Sequence, residues 1–158
     1  LCDFGFARTV DPAGKEDLTD SVATRWYRSP ELLLGASRYD ASVDMWAVGC
    51  IMGELVDGNP LFAGATELEQ LQLIQQGIGP LTSEQMDRFR LEPRFRGARF
   101  PPMDGVDAKE TLRKRYGKRL NPLALDFMEH TLKMSEKHRI TSKEAIRHPW
   151  FEGLPKEF

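Results

Sequence analysis

The sequence predicts a mainly α-helical domain with little sheet. Three observations carry that expectation. Helix starts recur along the chain, as Ser29-Pro30, Thr66-Glu67-Leu68-Glu69, Thr82-Ser83-Glu84-Gln85, Asn121-Pro122 and Thr141-Ser142-Lys143-Glu144. Each pairs an N-capping side chain with Pro at the first helical position or with Glu/Gln three residues on. The stretch Ser42 to Val56 is apolar without strand-like alternation, which fits a buried helix. Stop signals then follow these segments, at Gly35, at Gly58-Asn59-Pro60 and at Gly79-Pro80.

Taken in order, Leu1, Cys2 and Phe4 read as a short buried strand. Thr9 to Asp20 holds Pro12, Gly14 and five charged residues, a composition that cannot bury itself and reads as a mobile loop. Ser29-Pro30 starts a short helix that continues through Leu34 and stops at Gly35. The helix from Ser42 is apolar nearly all round and should run through the core, ending at Gly58-Asn59-Pro60. Asp44 lies inside it, where a charge is costly unless paired.

Thr66 caps a helix that presents Leu68, Leu71, Gln72 and Gln75 on one face, widened by Leu73 and Ile74 and terminated by Gly77, Gly79 and Pro80. Thr82 caps another, to about Arg90. Arg94 to Asp107, with Gly97, Pro101, Pro102 and Gly105, reads as irregular. The helix from Asn121-Pro122 runs to Met134 and buries Leu123, Phe127, Met128 and Leu132; the last begins at Thr141 and ends at His148-Pro149, after which Trp150 and Phe151 plug the surface.

Two segments carry the chemistry. Leu1 to Arg8 reads L-C-D-F-G-F-A-R, and Val22 to Glu31 reads V-A-T-R-W-Y-R-S-P-E. D-F-G followed at loop distance by a P-E signature resembles the activation segment of a protein kinase. Together with D-M-W-A-V-G-C (Asp44 to Cys50), P-L-F-A-G (Pro60 to Gly64) and H-P-W-F (His148 to Phe151), it resembles the cyclin-dependent kinase-like family, in the CMGC group of Ser/Thr kinases, over nearly the whole chain. Phe6 stands where many relatives carry Leu.

The resemblance implies the C-terminal lobe of the protein kinase fold, starting at the D-F-G motif, with the N-lobe and catalytic loop absent. On that reading residues 1–158 are one part of a kinase domain: 1–31 the activation segment, 42–57 the core helix, 77–121 a CMGC-type insert region and 122–151 the final helices. The chain contains no G-x-G-x-x-G loop, V-A-I-K-like strand or H-R-D-L-x-x-x-N. It therefore reads as the piece that follows the catalytic loop, and these residues by themselves are expected to be inactive.

Residue by residue, Asp3 matches the D-F-G carboxylate that holds Mg²⁺ against the ATP phosphates, Phe4 its packing partner, and Gly5 the flexible hinge. Mg²⁺ takes one or two carboxylates with phosphate and water oxygens, which suits Asp3. Thr24 matches the hydroxyl that supports the catalytic-loop Asp and implies Ser/Thr acceptors. Val22 to Arg28 would form the pocket for the residue after the acceptor. Thr19-Asp20-Ser21 occupies the family's T-x-Y phosphorylation motif, with Ser21 replacing Tyr. A phosphate there orders a loop by pairing with arginine: Arg8 is the expected partner of Thr19, and Arg25 and Arg28 face the second site. Asp44 matches the core-helix Asp that anchors the catalytic loop. Glu31 and Arg139 match a buried ion pair tying the end of the activation segment to the last helices.

The resemblance implies a Ser/Thr kinase using ATP and Mg²⁺ on a protein substrate, activated by an upstream kinase. The rival reading is a pseudokinase or a truncated docking and scaffold module. Residues 87–119 carry eleven Lys or Arg against five Asp or Glu. They read as a solvated insert that partly pairs with acidic neighbours, and alternatively as a docking patch for an acidic partner. A net charge of −2 gives no pull toward nucleic acid or an anionic membrane, and no apolar run reaches transmembrane length. Cys2 and Cys50 form no C-x-x-C pair, in keeping with reduced thiols and a cytoplasmic or nuclear protein. His130, His138 and His148 read as structural or surface residues, since none has metal-ligand spacing with a second His or Cys.

Overall fold

The structure is a computed structural model, and it describes residues 25–100 and 108–153. Seven α-helices occur among these residues: α1 (Pro30–Leu33), α2 (Ser42–Asp57), α3 (Glu67–Ile78), α4 (Ser83–Leu91), α5 (Ala108–Tyr116), α6 (Pro122–Thr131) and α7 (Ser142–Ala145). Short 3₁₀ turns lie at Arg25–Tyr27, Pro93–Phe95, Glu136–His138 and Pro149–Phe151, and no β-strand occurs among the described residues. The expected strand at Leu1 to Phe4 and the loop at Thr9 to Asp20 lie outside them.

The caps act where the sequence places them. Thr82 accepts from Gln85 N–H while the Gln85 side chain accepts from Thr82 N–H, a complete capping box, and Thr141 with Glu144 repeats it. Asn121 Oδ1 accepts from Ala124 N–H at 2.8 Å. At α3 only half the box forms. Thr66 Oγ1 accepts from Glu69 N–H at 3.1 Å, and the Glu69 carboxylate reaches one residue further back, to Ala65 N–H. Ser29 is the N-cap of α1 by position, yet its hydroxyl makes no capping bond. Gly58 closes α2 in the left-handed conformation, φ 73°, with its N–H on Glu54 C=O.

The core forms where α2 meets α6 and α3 meets α5. Trp46 and Cys50 of α2, Leu71 and Ile74 of α3, Tyr116 of α5 and Met128 of α6 are all fully buried. Each such aliphatic side chain contributes about 1.5–3 kcal/mol by leaving water. Trp46 stacks on Phe62 with centroids 6.2 Å apart. The α2–α6 seam depends on a missing side chain: a Cβ on Gly49 would stand 2.5 Å from Thr131 Oγ1 and 2.6 Å from Leu132 Cγ. Phe89 stacks with Phe95 at 4.8 Å and lies tilted against Phe100 at 4.3 Å, which joins the segment after α4 to the main core.

Several expectations are corrected. The helix α2 is apolar nearly all round but buried on one face only, so it flanks the core rather than running through it. Met45, Trp46, Gly49, Cys50 and Met52 are buried, while Val48, Ile51 and Leu55 are exposed. Asp44 is exposed in its first turn, where the helix dipole favours a carboxylate, so the burial cost inferred from sequence does not arise. Gly77 does not terminate α3, which continues to Ile78. Its missing side chain makes room for Phe62, whose Cε1 would be 2.8 Å from a Cβ. The sequence reading has no helix at α5; Leu112 and Tyr116, one turn apart, bury its inner face. The helix α6 ends at Thr131 rather than Met134, and Leu123 in its first turn is exposed. The helix α7 is a single turn, ending at Ala145.

Candidate functional site

Of the residues singled out in the sequence, Asp3, Arg8, Thr19, Ser21 and Thr24 lie outside the described residues. The structure places Arg25, Arg28, Glu31, Asp44 and Arg139. It brings Glu31 and Arg139 together, 108 positions apart.

Glu31 sits in the first turn of α1, directed inward because Ser29-Pro30 starts that helix at the core's edge. Arg139 follows the turn Glu136–His138. Its Nη1 and Nη2 donate to the two Glu31 carboxylate oxygens at 2.8 and 3.1 Å, a bidentate pairing that lysine could not reproduce. The side chains are 0% and 3% exposed. Burial on that scale is tolerable only when the remaining donors are satisfied, and they are. Nη1 also donates to Ser42 C=O at 2.8 Å, and Nε and Nη2 both reach Lys133 C=O at 3.3 Å. The guanidinium carbon lies 5.2 Å from the centroid of the Trp46 ring, a cation–π contact in a dry setting. One arginine thus ties α1, the start of α2, the end of α6 and the core tryptophan.

Just before Glu31, the turn Arg25–Tyr27 is fastened to α2 and α3 by groups the sequence reading did not single out. The buried amide of Gln70 donates to Trp26 C=O at 3.2 Å and Phe62 C=O at 3.1 Å, and accepts from Gly64 N–H at 2.8 Å. Trp26 Nε1 donates to Gly64 C=O at 3.2 Å and Arg25 Nη1 to Ala65 C=O at 2.9 Å. Tyr27 OH donates to Glu54 at 2.6 Å. That bond, with burial and the carboxylate charge, pushes the phenol pKa up, so Tyr27 stays a donor throughout the ordinary pH range. Arg28 stands 3.7 Å from Glu67, which Arg94 also holds at 2.9 Å.

Glu54 carried a signal, being a carboxylate inside an apolar run. Gln70 carried none, since it lies beside the apolar face read from periodicity. Arg25 and Arg28 are therefore near each other but already engaged with backbone and carboxylate.

Much of the basic stretch pairs with acidic neighbours, most of them outside it. Arg88 meets Glu84, Arg90 meets Asp87, Arg94 meets Glu67 and Glu92, and Arg113 meets Glu129. Arg115 and Arg119 both meet Asp57, which also accepts from Tyr116 OH at 2.6 Å. Burial pushes the Asp57 carboxyl pKa up, but the bonds from Tyr116 and Arg119 and the charge of Arg115 outweigh it and hold the group below its ordinary value. Cys50 is a free, buried thiol whose pKa burial pushes up, so it is inert as a nucleophile. No helix among the described residues is long and apolar enough to cross a membrane.

His148 is structural as expected, buried and bonded to Asp126 and to Trp150 N–H. His130 and His148, with Asp126, lie close enough for one ligand atom of each to fall within 4.8 Å of the others. Tertiary structure supplies a proximity that sequence spacing does not show.

The sequence pattern of the family described as Protein kinase domain matches residues 1–151. The chain is 51% identical over 152 residues to Cyclin-dependent kinase-like 5 of Mus musculus, covering 96% of this chain and 16% of that protein. It is 41% identical over 157 residues to Cyclin-dependent kinase-like 4 of Mus musculus, covering 99% of this chain and 44% of that protein. It is 41% identical over 160 residues to Cyclin-dependent kinase-like 2 of Oryctolagus cuniculus, covering 100% of this chain and 27% of that protein. The chain thus spans less than half the length of these relatives.

Proposed function

Because the chain belongs to the protein kinase domain family, we propose that it is the C-terminal part of a Ser/Thr protein kinase domain that moves the γ-phosphoryl group of MgATP to a protein hydroxyl. The observation that carries this reading is the dry, fully satisfied Glu31–Arg139 pair under Trp46. It joins the P-E end of the proposed activation segment to the last helices, the pairing that the resemblance implied for two residues with no sequence proximity.

The described residues then have positioning roles. The turn Arg25–Tyr27, clamped by Gln70 and Glu54, supplies a fixed floor for the residue after the acceptor. Asp44, exposed at the start of α2, is free to accept from the backbone of a catalytic loop. Mg²⁺, when bound, neutralises charge on the β- and γ-phosphate oxygens; Asp3 is the carboxylate that would hold it, and it lies outside the described residues. Thr24 supports the catalytic base. Thr19 and Ser21 are the proposed phosphorylation positions, with Arg8 for the first and Arg25 and Arg28 for the second. A phosphate on Ser21 would compete with Glu67 for Arg28.

The test is a phosphoryl-transfer assay on the complete protein with MgATP and peptides bearing Ser, Thr or Tyr. Transfer to Ser or Thr, abolished by Asp3→Asn and reduced more by Thr19→Ala than by Ser21→Ala, is the expected result. Near-normal turnover of Asp3→Asn would remove Asp3 as the metal ligand, and absence of transfer by the wild type would leave the docking module as the better reading.

A further inference from the structure

We infer that Asp126, His130 and His148 form a binding site for a divalent transition-metal ion of the Zn²⁺ class, at the corner where α6 meets the turn Pro149–Phe151. Asp126 and His130 are one turn apart on α6, and His148 reaches the same carboxylate from beyond α7. His148 Nε2 lies 3.0 Å and His130 Nδ1 3.6 Å from Asp126 Oδ2; His130 Nδ1 donates to Asp126 C=O at 2.8 Å, which leaves Nε2 as the ring nitrogen open to an ion. Two imidazoles and a carboxylate are the donor set of three-ligand zinc sites, which leave a fourth position open.

The distances allow the site to close. Ligand atoms about 2.0–2.2 Å from a tetrahedral ion lie roughly 3.3–3.6 Å apart, against a present spread within 4.8 Å. The difference is at most about 1.5 Å, and the two side chains that must supply it are the more exposed ones: Asp126 and His130 are 46% and 44% exposed. His148 is the fixed member. Its side chain is 8% exposed, and its ring packs edge-on against Phe127 with centroids 5.3 Å apart. Such outer contacts orient a metal-binding imidazole. The cleft also holds Lys137, Arg139 and Arg147, which oppose a cation, and Glu144, which favours one; Arg139 is already neutralised by Glu31 and Lys137 by Glu84.

Proton positions add a distinctive consequence. His148 Nδ1 accepts the Trp150 backbone N–H at 3.2 Å, so Nε2 carries the ring proton and donates it to Asp126. An ion taking the place of that proton shifts it to Nδ1 and ends the bond to Trp150 N–H. Metal binding is therefore linked to the turn Pro149–Phe151, and the indole of Trp150, 5.1 Å from the Phe127 ring, reports it.

The experiment is a titration of the untagged chain with ZnCl₂ by calorimetry, repeated with Co²⁺ to read visible d–d absorption and with Trp150→Phe to assign the fluorescence change. The expected result is one ion per chain, with affinity reduced at least ten-fold by His130→Ala and by the near-isosteric Asp126→Asn, and unaltered by His138→Ala. The fluorescence response should vanish in Trp150→Phe. Circular dichroism of His130→Ala, a half-buried position, verifies the fold. No stoichiometric binding at 100 μM Zn²⁺, or equal binding by the wild type and His130→Ala, overturns the site.

Discussion

Two carboxylates in this molecule each hold arginine, and they do so in opposite surroundings. Glu31 meets one arginine with both partners out of water, every guanidinium N–H used and an indole face beneath. Asp57, at the C-terminal end of α2, meets Arg115, Arg119 and Tyr116, but its arginines are 46% exposed. The first arrangement has fewer partners and greater consequence. A buried charge left alone cannot be rescued by solvent, whereas an arginine at the rim simply rehydrates. The number of ion-pair partners is therefore a poor guide to which site holds the fold together.

The sharpest test of that ranking is Glu31→Ala. It strands Arg139 in a dry site and should cost about 3–5 kcal/mol, a large share of the stability of a domain this size. Denaturant unfolding of the chain measures it, and a double-mutant cycle with Arg139→Ala isolates the coupling. A coupling near zero would break the comparison, because the two sites would then differ only in appearance.

Asp57→Asn is the next in size. It keeps the shape of the side chain but removes a charge accepting several hydrogen bonds, and with half-exposed arginines the expected loss is about 1–2 kcal/mol. A loss equal to that of Glu31→Ala would show that exposure of the partners does not matter here.

The same residue gives a pH dependence with a definite sign. The folded-state pKa of Asp57 lies below its ordinary value of 3.8. Its contribution is therefore full above the unfolded pKa and is lost as pH falls through the folded one. Stability of the wild type should drop more steeply than that of Asp57→Asn below about pH 4, read from urea midpoints across the acid range. Parallel curves would rule out Asp57 as a source of acid sensitivity.

At the small end, Arg90→Ala removes a pair with Asp87 in which both side chains are more than two-thirds exposed, at 69% and 68%. The denaturation midpoint should not move measurably. A clear shift would mean that surface pairs in the basic stretch carry more than their exposure implies.

The sequence made the Glu31–Arg139 pair legible because each residue stands beside a strong local signal, Pro30 before one and the Thr141 capping box after the other, and because the family resemblance named the pairing. Caps at Thr82, Asn121 and Thr141 were equally readable, being satisfied within three residues. What escaped depended on tertiary placement. The two faces of α2 differ because α6 covers the side bearing Gly49 and leaves Val48, Ile51 and Leu55 uncovered, a distinction hydropathy cannot make. The helix α5 hid within a run of basic residues, with only Leu112 and Tyr116 to mark its inner side. Gln70 is polar by type and buried by role, and His130 and His148 lie eighteen positions apart while sharing one carboxylate.

The clamped turn at Arg25–Tyr27 has a consequence for chain statistics. Ser21 precedes Arg25 by four residues, and covalent geometry alone keeps their Cα atoms within about 14 Å of each other. With Arg25 held by Ala65 and its neighbours by Gln70 and Glu54, a phosphate on Ser21 would, on the proposed pairing, meet Arg25 and Arg28 as an intramolecular ligand. Its effective concentration is on the order of millimolar or above. The search that a free phosphopeptide would conduct in three dimensions is reduced to rotation about a few backbone bonds. On the proposed pairing, that local concentration is what would let a phosphate displace Glu67 from Arg28.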